Sequence, residues 1–164
     1  MRMPTTPAGK KKTRGPIKSR IKVRRSGVHG RGVYATAPIR KGTRIIEYTG
    51  RRLPWKKAMK LPPRKDDEPY HTFFFSLENG DVIDAAVGGN ESRWINHSCD
   101  PNCVPVQDSE GRIFIKAKRT IRDGEELSYN YRLNIEGRLT KRERAGYACR
   151  CGSAKCRGTL LDDG

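Results

Sequence analysis

The chain has 164 residues, of which 35 are Lys or Arg and 18 are Asp or Glu, giving a formal net charge of +17. Hydrophobic residues make up 34 % of the chain, enough for one compact core. No run of about 18 apolar residues is present, and the basic N-terminus lacks the apolar stretch of a secretory signal. These features predict an intracellular protein with no membrane contact.

The positive charge is concentrated at one end of the sequence. Residues 1–46 contain 14 basic and no acidic residues, whereas the remaining 118 residues hold 21 basic and 18 acidic ones. Residues 1–19 have almost no large apolar side chains and three prolines, and so predict a disordered basic arm. Such an arm suits a solubilising tail, a localisation signal or electrostatic contact with nucleic acid, and residues 1–25 could contact DNA.

From about Ile21 onward, short strand-like segments are separated by Gly, Pro or Asn. We predict two short helices, at 55–60 and 140–145, and strands at 32–36, 43–48, 72–77, 81–85, 112–117 and 126–129. Many strands with few helices predict a mainly β domain built from small antiparallel sheets. We place the basic arm, this domain, a linker and a cysteine-containing module at 1–19, 20–132, 133–148 and 149–164.

An odd number of cysteines, five, argues against a disulfide framework in a chain without an export signal. Three of them form a C-x-C-x4-C pattern, namely Cys149, Cys151 and Cys156. Thiols at this spacing can converge on one tetrahedral zinc ion, whose structural sites take four ligands. The fourth ligand must come from elsewhere: Cys99 and Cys103 are the cysteine candidates, and His97 is a weaker one.

Residues 93–103 are rich in Asn, His, Ser, Cys and Asp, which favours an irregular, hydrogen-bonded turn over a regular element. A Ser/His or Cys/His nucleophile pair is one interpretation of this segment. No distant orienting partner is apparent for such a pair, and neighbouring residues of an extended loop point in different directions. We therefore give covalent catalysis little weight.

Residues 96–102 (NHSCDPN) and 124–131 (GEELSYNY) resemble the two signature motifs of SET-domain protein lysine methyltransferases. In the same order, residues 28–34 (VHGRGVY) are similar to the family's first cofactor motif and residues 47–50 (EYTG) to its EYxG turn. The terminal C-x-C-x4-C resembles the post-SET zinc module, and the trithorax-like group is the most similar. This resemblance implies a SET-domain fold with a pseudoknot-like C-terminal segment and a zinc-bound post-SET module.

The resemblance also implies an activity, the transfer of methyl groups from S-adenosylmethionine to a lysine of a histone or a basic DNA-packaging protein. The chemistry needs a neutral amine held in line within an aromatic, water-poor channel. By resemblance, Tyr131 lies near the reacting centre and Tyr48 lines the lysine channel. Tyr129 occupies the family's Phe/Tyr switch position, where a tyrosine favours mono- or dimethylation.

The family's ligand sites also map onto this sequence. By resemblance, contacts to the cofactor come from His29, Gly30, Arg31, Phe73, Arg93, Asn96, His97 and Leu160. The resemblance implies Cys99 as the fourth zinc ligand, which leaves Cys103 as a small buried residue. Two positions depart from the family pattern, because Phe73 stands where many members have Tyr and Asn130 stands where Asp is usual.

Two other interpretations account for part of the sequence. A basic, zinc-containing chromatin or nucleic-acid-binding module without catalysis would explain the charge and the cysteines but not the ordered tyrosine motifs. A catalytically inactive SET domain would accommodate the two departures. We expect a monomer, located at chromatin in a nucleus or at the nucleoid of a bacterium. A lysine-rich substrate needs local acidity, which we expect from Asp66, Asp67 and Glu68.

Overall fold

A computed structural model of the chain describes residues 20–62 and 73–162. The arm at 1–19 and the acidic residues Asp66, Asp67 and Glu68 lie outside the described residues. Within the described ranges, the longer of the two α-helices has six residues, and no helix is long and apolar enough to cross a membrane.

Strands make up most of the regular structure. In chain order they are β1 (Ile21–Arg25), β2 (Arg31–Ala35), β3 (Arg44–Tyr48), β4 (Arg51–Pro54), β5 (Phe74–Ser76), β6 (Asp81–Asp84), β7 (Asn96–His97), β8 (Cys103–Gln107), β9 (Ile113–Ala117) and β10 (Ser128–Tyr129). The remaining elements are α1 (Trp55–Ala58), a 3-10 turn (Glu91–Trp94) and α2 (Lys141–Gly146).

The strands form four small sheets, and three of them have the antiparallel pairing that the sequence predicts. Three of them are antiparallel, with the orders β1-β2, β3-β9-β8 and β4-β6-β5. The fourth is a parallel pair in which Ser128 lies opposite Asn96 and Tyr129 lies opposite His97. This pairing places the two signature motifs side by side, although about 30 residues separate them along the chain.

Two packed clusters form the core. The larger one is lined by β-branched and leucine side chains from β2, β3, β9 and the connecting loops, including Val33, Ile39, Ile95, Ile115, Ile121 and Leu127. Each of these is at most 1 % exposed, and such burial contributes about 1.5–3 kcal/mol per side chain. The smaller cluster contains Tyr48, Ile83 and Ile113, and Phe75 packs against both clusters. The seam between them is where the aromatic side chains gather.

Several predicted elements are shorter than expected, and four strands were missed: β1, β4, β7 and β8. The strands predicted at 72–77 and 126–129 are confined to β5 and β10. Two of the missed strands, β4 and β8, are edge strands that each contain a proline. The predicted linker 133–148 contains α2, whose first turn is closed by a capping box between Thr140 and Glu143.

Candidate active site

A continuous row of aromatic rings crosses the seam of the core. Tyr48, at the end of β3, lies with its ring centroid 5.1 Å from that of Phe75 on β5. Phe75 lies 6.3 Å from Tyr129, which in turn lies 5.0 Å from Tyr131. The row ends at His97, whose ring is 5.4 Å from that of Tyr131. The three tyrosines predicted from the sequence are therefore brought together.

Two of the three tyrosine hydroxyls in this row donate to backbone carbonyls, and all three stay protonated at neutral pH. Tyr48 donates to the carbonyl of Phe73 at 3.0 Å, and Tyr131 donates to the carbonyl of Ile95. Burial raises the pKa of Tyr48, Tyr129 and Tyr131 above the ordinary value of 10.0, since a phenolate would be poorly solvated there. At neutral pH these side chains act as hydrogen-bonding phenols and not as phenolate bases.

The side chain of Asn96 clamps the turn between β1 and β2. Its Nδ2 lies 2.8 Å from the carbonyl oxygen of Arg31, 3.2 Å from that of His29 and 2.9 Å from Oε1 of Glu126. Asn96 is itself only 5 % exposed, so these bonds are protected from water. Gly30, in the middle of the turn, has a φ of 42°, a conformation that favours glycine. The sequence-predicted residues His29, Gly30 and Arg31 are thus held against the signature motif.

Glu126 is the common acceptor at the base of this turn. Besides Asn96, it accepts hydrogen bonds from the hydroxyls of Ser26 at 2.8 Å and Tyr34 at 3.2 Å. Its carboxylate also lies against the Cα of Gly32, where any side chain would collide with it. The absence of a side chain at Gly32 is therefore needed for packing within the protein.

Three predicted cofactor residues surround the indole of Trp94. The guanidinium carbons of Arg93 and Arg31 lie 4.9 Å and 5.2 Å from the ring centroid, and Phe73 meets it edge-on at 5.3 Å. Nε of Arg93 is buried and has no hydrogen-bond partner within the described part of the chain. A buried guanidinium donor without a partner is costly, so this position fits an acceptor group of a bound ligand.

Four cysteines converge at the C-terminal side of the site. The sulfur atoms of Cys99, Cys149, Cys151 and Cys156 all lie within 4.8 Å of one another, and those of Cys99 and Cys149 are 3.7 Å apart. In a tetrahedral zinc site with Zn–S bonds of about 2.3 Å, neighbouring sulfurs lie about 3.8 Å apart. The donor set and its spacing fit a closed structural zinc site.

Backbone N–H groups point at two of these sulfurs, and the pKa of a third thiol, that of Cys151, is lowered. The backbone N–H of Arg157 points at Sγ of Cys99 at 3.3 Å, and that of Gly158 points at Sγ of Cys156 at 3.4 Å. Burial opposes ionisation of Cys151, but N–H donors and the neighbouring thiols outweigh it and lower its pKa to about 6. Thiolates are the form in which cysteine binds metal.

His97 connects this cluster to the row of rings. Its Nδ1 accepts the backbone N–H of Tyr131 at 3.0 Å, so the proton resides on Nε2, which lies 3.4 Å from Sγ of Cys99. His97 thus contacts the cysteine cluster but is not one of its four candidate metal ligands. Burial lowers its pKa to about 4, so the ring is neutral at physiological pH.

The remaining predicted residues lie apart from these groups. Cys103 begins β8 and is 1 % exposed, and burial raises its pKa to about 12. Leu160 donates its backbone N–H to the carbonyl of Tyr147 and accepts from the N–H of Leu133. It joins the C-terminal segment to the chain that leaves the aromatic row.

Three residues of the site were not identified from the sequence. Phe75 completes the row, and an alternating strand beginning at Phe73 is the signal that could have found it. Glu126 anchors the β1–β2 turn. Asn102, 2 % exposed, donates to the carbonyl of Glu126 at 2.8 Å and accepts from the N–H of Ser128 at 2.9 Å.

Comparison with known proteins agrees with this arrangement. The SET domain family model matches residues 30–132. Histone-lysine N-methyltransferase trr of Drosophila melanogaster is 37 % identical over 150 residues, which cover 90 % of this chain and 6 % of that protein. Histone-lysine N-methyltransferase 2B of Homo sapiens is 36 % identical over 146 residues, covering 87 % of this chain and 5 % of the relative.

A plant relative shows the same relation. Histone-lysine N-methyltransferase ATX2 of Arabidopsis thaliana is 36 % identical over 158 residues, covering 88 % of this chain and 13 % of that protein. The chain therefore spans only a small part of the length of these curated relatives. The match over most of its residues, together with the convergence of the two signature motifs, shows that the chain belongs to the SET-domain family.

Proposed function

We propose that the chain is an S-adenosylmethionine-dependent protein-lysine N-methyltransferase acting on a histone or a basic DNA-packaging protein. The observation that carries the proposal is the row of neutral tyrosines, two of them buried and Tyr131 partly buried, at the meeting point of the two signature motifs. Relatives named histone-lysine N-methyltransferases support the same activity.

The row suits a lysine side chain because it is aromatic and poor in water. A free lysine has a pKa of about 10.4, and transfer into such surroundings disfavours its ammonium form. The hydroxyl of Tyr48 already donates to Phe73, so its oxygen can accept a hydrogen bond from the amine. The raised pKa of Tyr48 and Tyr131 means that neither takes up the lost proton as a phenolate. The proton therefore has to reach solvent before or during the transfer.

S-adenosylmethionine, when bound, supplies an electrophilic sulfonium methyl group. Arg31, Phe73 and Arg93 around Trp94 form the surface proposed to hold it, and the orphaned Nε of Arg93 suits its carboxylate. We also propose that S-adenosylmethionine contacts the turn at His29 and Gly30, which Asn96 keeps in place. Tyr131, held by Ile95, orients the reacting groups, which can supply a large part of the rate enhancement.

Tyr129 is proposed to limit the product to mono- or dimethyllysine. Its ring lies between those of Phe75 and Tyr131, so its hydroxyl occupies space inside the row. A hydroxyl there can retain a water molecule where a further methyl group would have to fit. The position of Tyr129 thus favours the lower methylation states.

We assign the four-cysteine cluster to a structural zinc ion. Zinc with four protein ligands has no open position for catalysis, so its role is to stabilise the C-terminal segment. Through His97, this cluster fixes the backbone of Tyr131. Metal binding is thereby expected to maintain one wall of the active site.

The experiment is methyl transfer from tritium-labelled S-adenosylmethionine to a panel of purified histones and a basic bacterial nucleoid protein. Wild-type protein should label at least one substrate on lysine. Tyr131→Phe should lower kcat at least about 100-fold, the scale expected for one preorganised polar group at a reacting centre. Tyr147→Phe, which removes a hydroxyl outside the row, serves as the matched control.

Two outcomes would contradict the proposal. Absence of labelling across the panel, while the wild-type protein binds DNA, would favour a non-catalytic binding module. Full activity of the Tyr131→Phe variant would remove Tyr131 from the mechanism. Isothermal titration with S-adenosylmethionine separates a catalytic defect from a binding defect, because Tyr131→Phe should retain most of the wild-type affinity.

A further inference from the structure

We propose that two adjoining turns of the folded domain form a binding surface for duplex DNA. The first turn lies between β2 and β3, and the second follows β9. The turns and the adjoining ends of β3 and β9 carry seven basic side chains, which we call the basic ridge: Arg40, Lys41, Arg44, Lys116, Lys118, Arg119 and Arg122. The ridge is distinct from the N-terminal arm and does not depend on the proposed enzymatic activity.

The two turns are fixed to each other by backbone hydrogen bonds. Ile39 and Ile121 exchange two N–H to carbonyl bonds of 2.9 and 2.8 Å, and both side chains are fully buried. The N–H of Gly42 donates to the carbonyl of Ala117 at 2.8 Å, and the N–H of Ala117 donates to that of Thr43 at 2.9 Å. The cationic side chains therefore project from a rigid base, which reduces the entropy lost on binding a partner.

The ridge carries charge that the protein itself leaves unbalanced. Residues 38–44 and 116–122 contain seven basic and no acidic side chains, and two acidic residues, Asp123 and Glu125, follow the second turn. Arg119 pairs with Glu125 at 2.6 Å, and the other six ridge cations have no ion pair among the described residues. Arg44 lies directly opposite Lys116 in the β3–β9 register, an arrangement that costs free energy. A polyanion laid across the two turns would offset this repulsion.

The chemistry of the ridge favours duplex phosphates over single-stranded nucleic acid. Surfaces that bind single strands combine cations with exposed aromatic rings on which bases stack. The aromatic ring nearest the ridge, that of Phe114, is half-buried and lies under the guanidinium groups of Arg44 at 4.5 Å and Arg112 at 5.4 Å. Exposed Lys and Arg side chains without a stacking ring are suited to backbone phosphates, read without regard to sequence.

The test measures binding of the full chain to a fluorescent duplex DNA by anisotropy over a series of salt concentrations. The ridge variant replaces three exposed cations together: Arg40→Gln, Lys118→Gln and Arg122→Gln. Each phosphate contact contributes about 0.9 to the slope of log K against log salt, so the slope should become shallower by about 2.7. A second ridge variant, with Lys41→Gln and Lys116→Gln, should make the slope shallower by about 1.8.

The matched control removes the same charge from the region of α2, through Arg138→Gln, Lys141→Gln and Arg142→Gln, all exposed. An unchanged slope in the control, with a shallower slope in both ridge variants, supports the proposal. Equal changes in ridge and control variants would show a net-charge effect only and would overturn it. The proposal would also be overturned if the ridge variants kept the wild-type slope, or if the protein bound single-stranded RNA more tightly than the duplex. The assay involves no methyl transfer, so its failure leaves the proposed enzymatic function untouched.

Discussion

Replacement of Asn96 by alanine tests the link between the signature motif and the β1–β2 turn. The amide has two N–H groups, and its nearest acceptors are the carbonyl of Arg31 at 2.8 Å and the carboxylate of Glu126 at 2.9 Å. A neutral hydrogen bond contributes about 1 kcal/mol and one to a charged group about 1.5–3 kcal/mol. Asn96→Ala should therefore lower the free energy of unfolding by about 2–4 kcal/mol.

Urea denaturation followed by circular dichroism measures this loss, and isothermal titration measures the affinity for S-adenosylmethionine. Without the clamp, the turn at His29 and Arg31 is no longer fixed, so cofactor affinity should fall about tenfold, or 1.4 kcal/mol. The control is Asn79→Ala in an exposed turn, where the amide donates to the side chain of Asp81 at 3.2 Å and accepts the backbone N–H of Asp81 at 3.0 Å, with no link to a distant segment. Its cost should be below about 0.5 kcal/mol.

Asn96→Asp distinguishes lost bonds from altered charge. It removes the donors and places a carboxylate close to that of Glu126, so it should destabilise the protein at least as much as alanine at pH 7. This added penalty should shrink as the pH falls and one of the two carboxylates binds a proton. A loss below 1 kcal/mol in Asn96→Ala, or unaltered cofactor affinity in both variants, would refute the clamp.

Three further predictions concern the rings, the metal and alkaline pH. Tyr129→Phe should shift the product toward trimethyllysine, because a hydroxyl is removed from the ring 5.0 Å from Tyr131; mass spectrometry of a completed reaction checks this, and unchanged products would count against the switch role. Cys156→Ser should weaken zinc binding more than about 100-fold, while Cys103→Ser should not. Chelator competition with metal analysis measures both, and loss of zinc in the Cys103 variant would contradict the assignment of four ligands. Because burial raises the pKa of Tyr48, Tyr129 and Tyr131, the unfolded chain binds fewer protons than the folded chain above pH 10. The free energy of unfolding should therefore fall above pH 10 by up to about 4 kcal/mol per pH unit for the three tyrosines together. A free energy that does not change with pH in urea titrations would show that their ionisation is not linked to unfolding.

The sequence indicated the candidate reactive and metal-binding residues but not the residues that hold them in place. Tyrosine and cysteine are reactive residue types, and the order of the family's motifs singled out Tyr48 and Cys99 without coordinates. Asn102 and Glu126 act through the backbone and side-chain atoms they hold, which belong to segments distant in sequence. A local sequence pattern does not show which backbone carbonyl will accept the hydrogen bond of a buried side-chain amide.

Two of the missed strands, β4 and β8, contain a proline. Proline lacks the N–H that a central strand must donate, so Pro54 and Pro105 weaken the sequence signal for a strand at these positions. Both strands lie at sheet edges, where one side of the strand needs no partner. Conversely, Glu126 reads as part of a strand, yet it forms only an isolated bridge to Tyr34. Whether a segment lies at the edge of a sheet or pairs only through one bridge depends on the tertiary structure, which a local sequence pattern does not show.

The parallel pairing of β7 with β10 has a consequence for biosynthesis. His97 leaves the ribosome about 30 residues before Tyr129, its partner in this pairing, and the sulfur of Cys99 meets that of Cys149 50 residues further along the chain. Contacts of such long sequence separation form slowly, so the proposed active site is expected to be among the last parts of the domain to be completed. A chain whose synthesis stops before Cys156 would lack one of the four clustered sulfurs and with it the proposed zinc site.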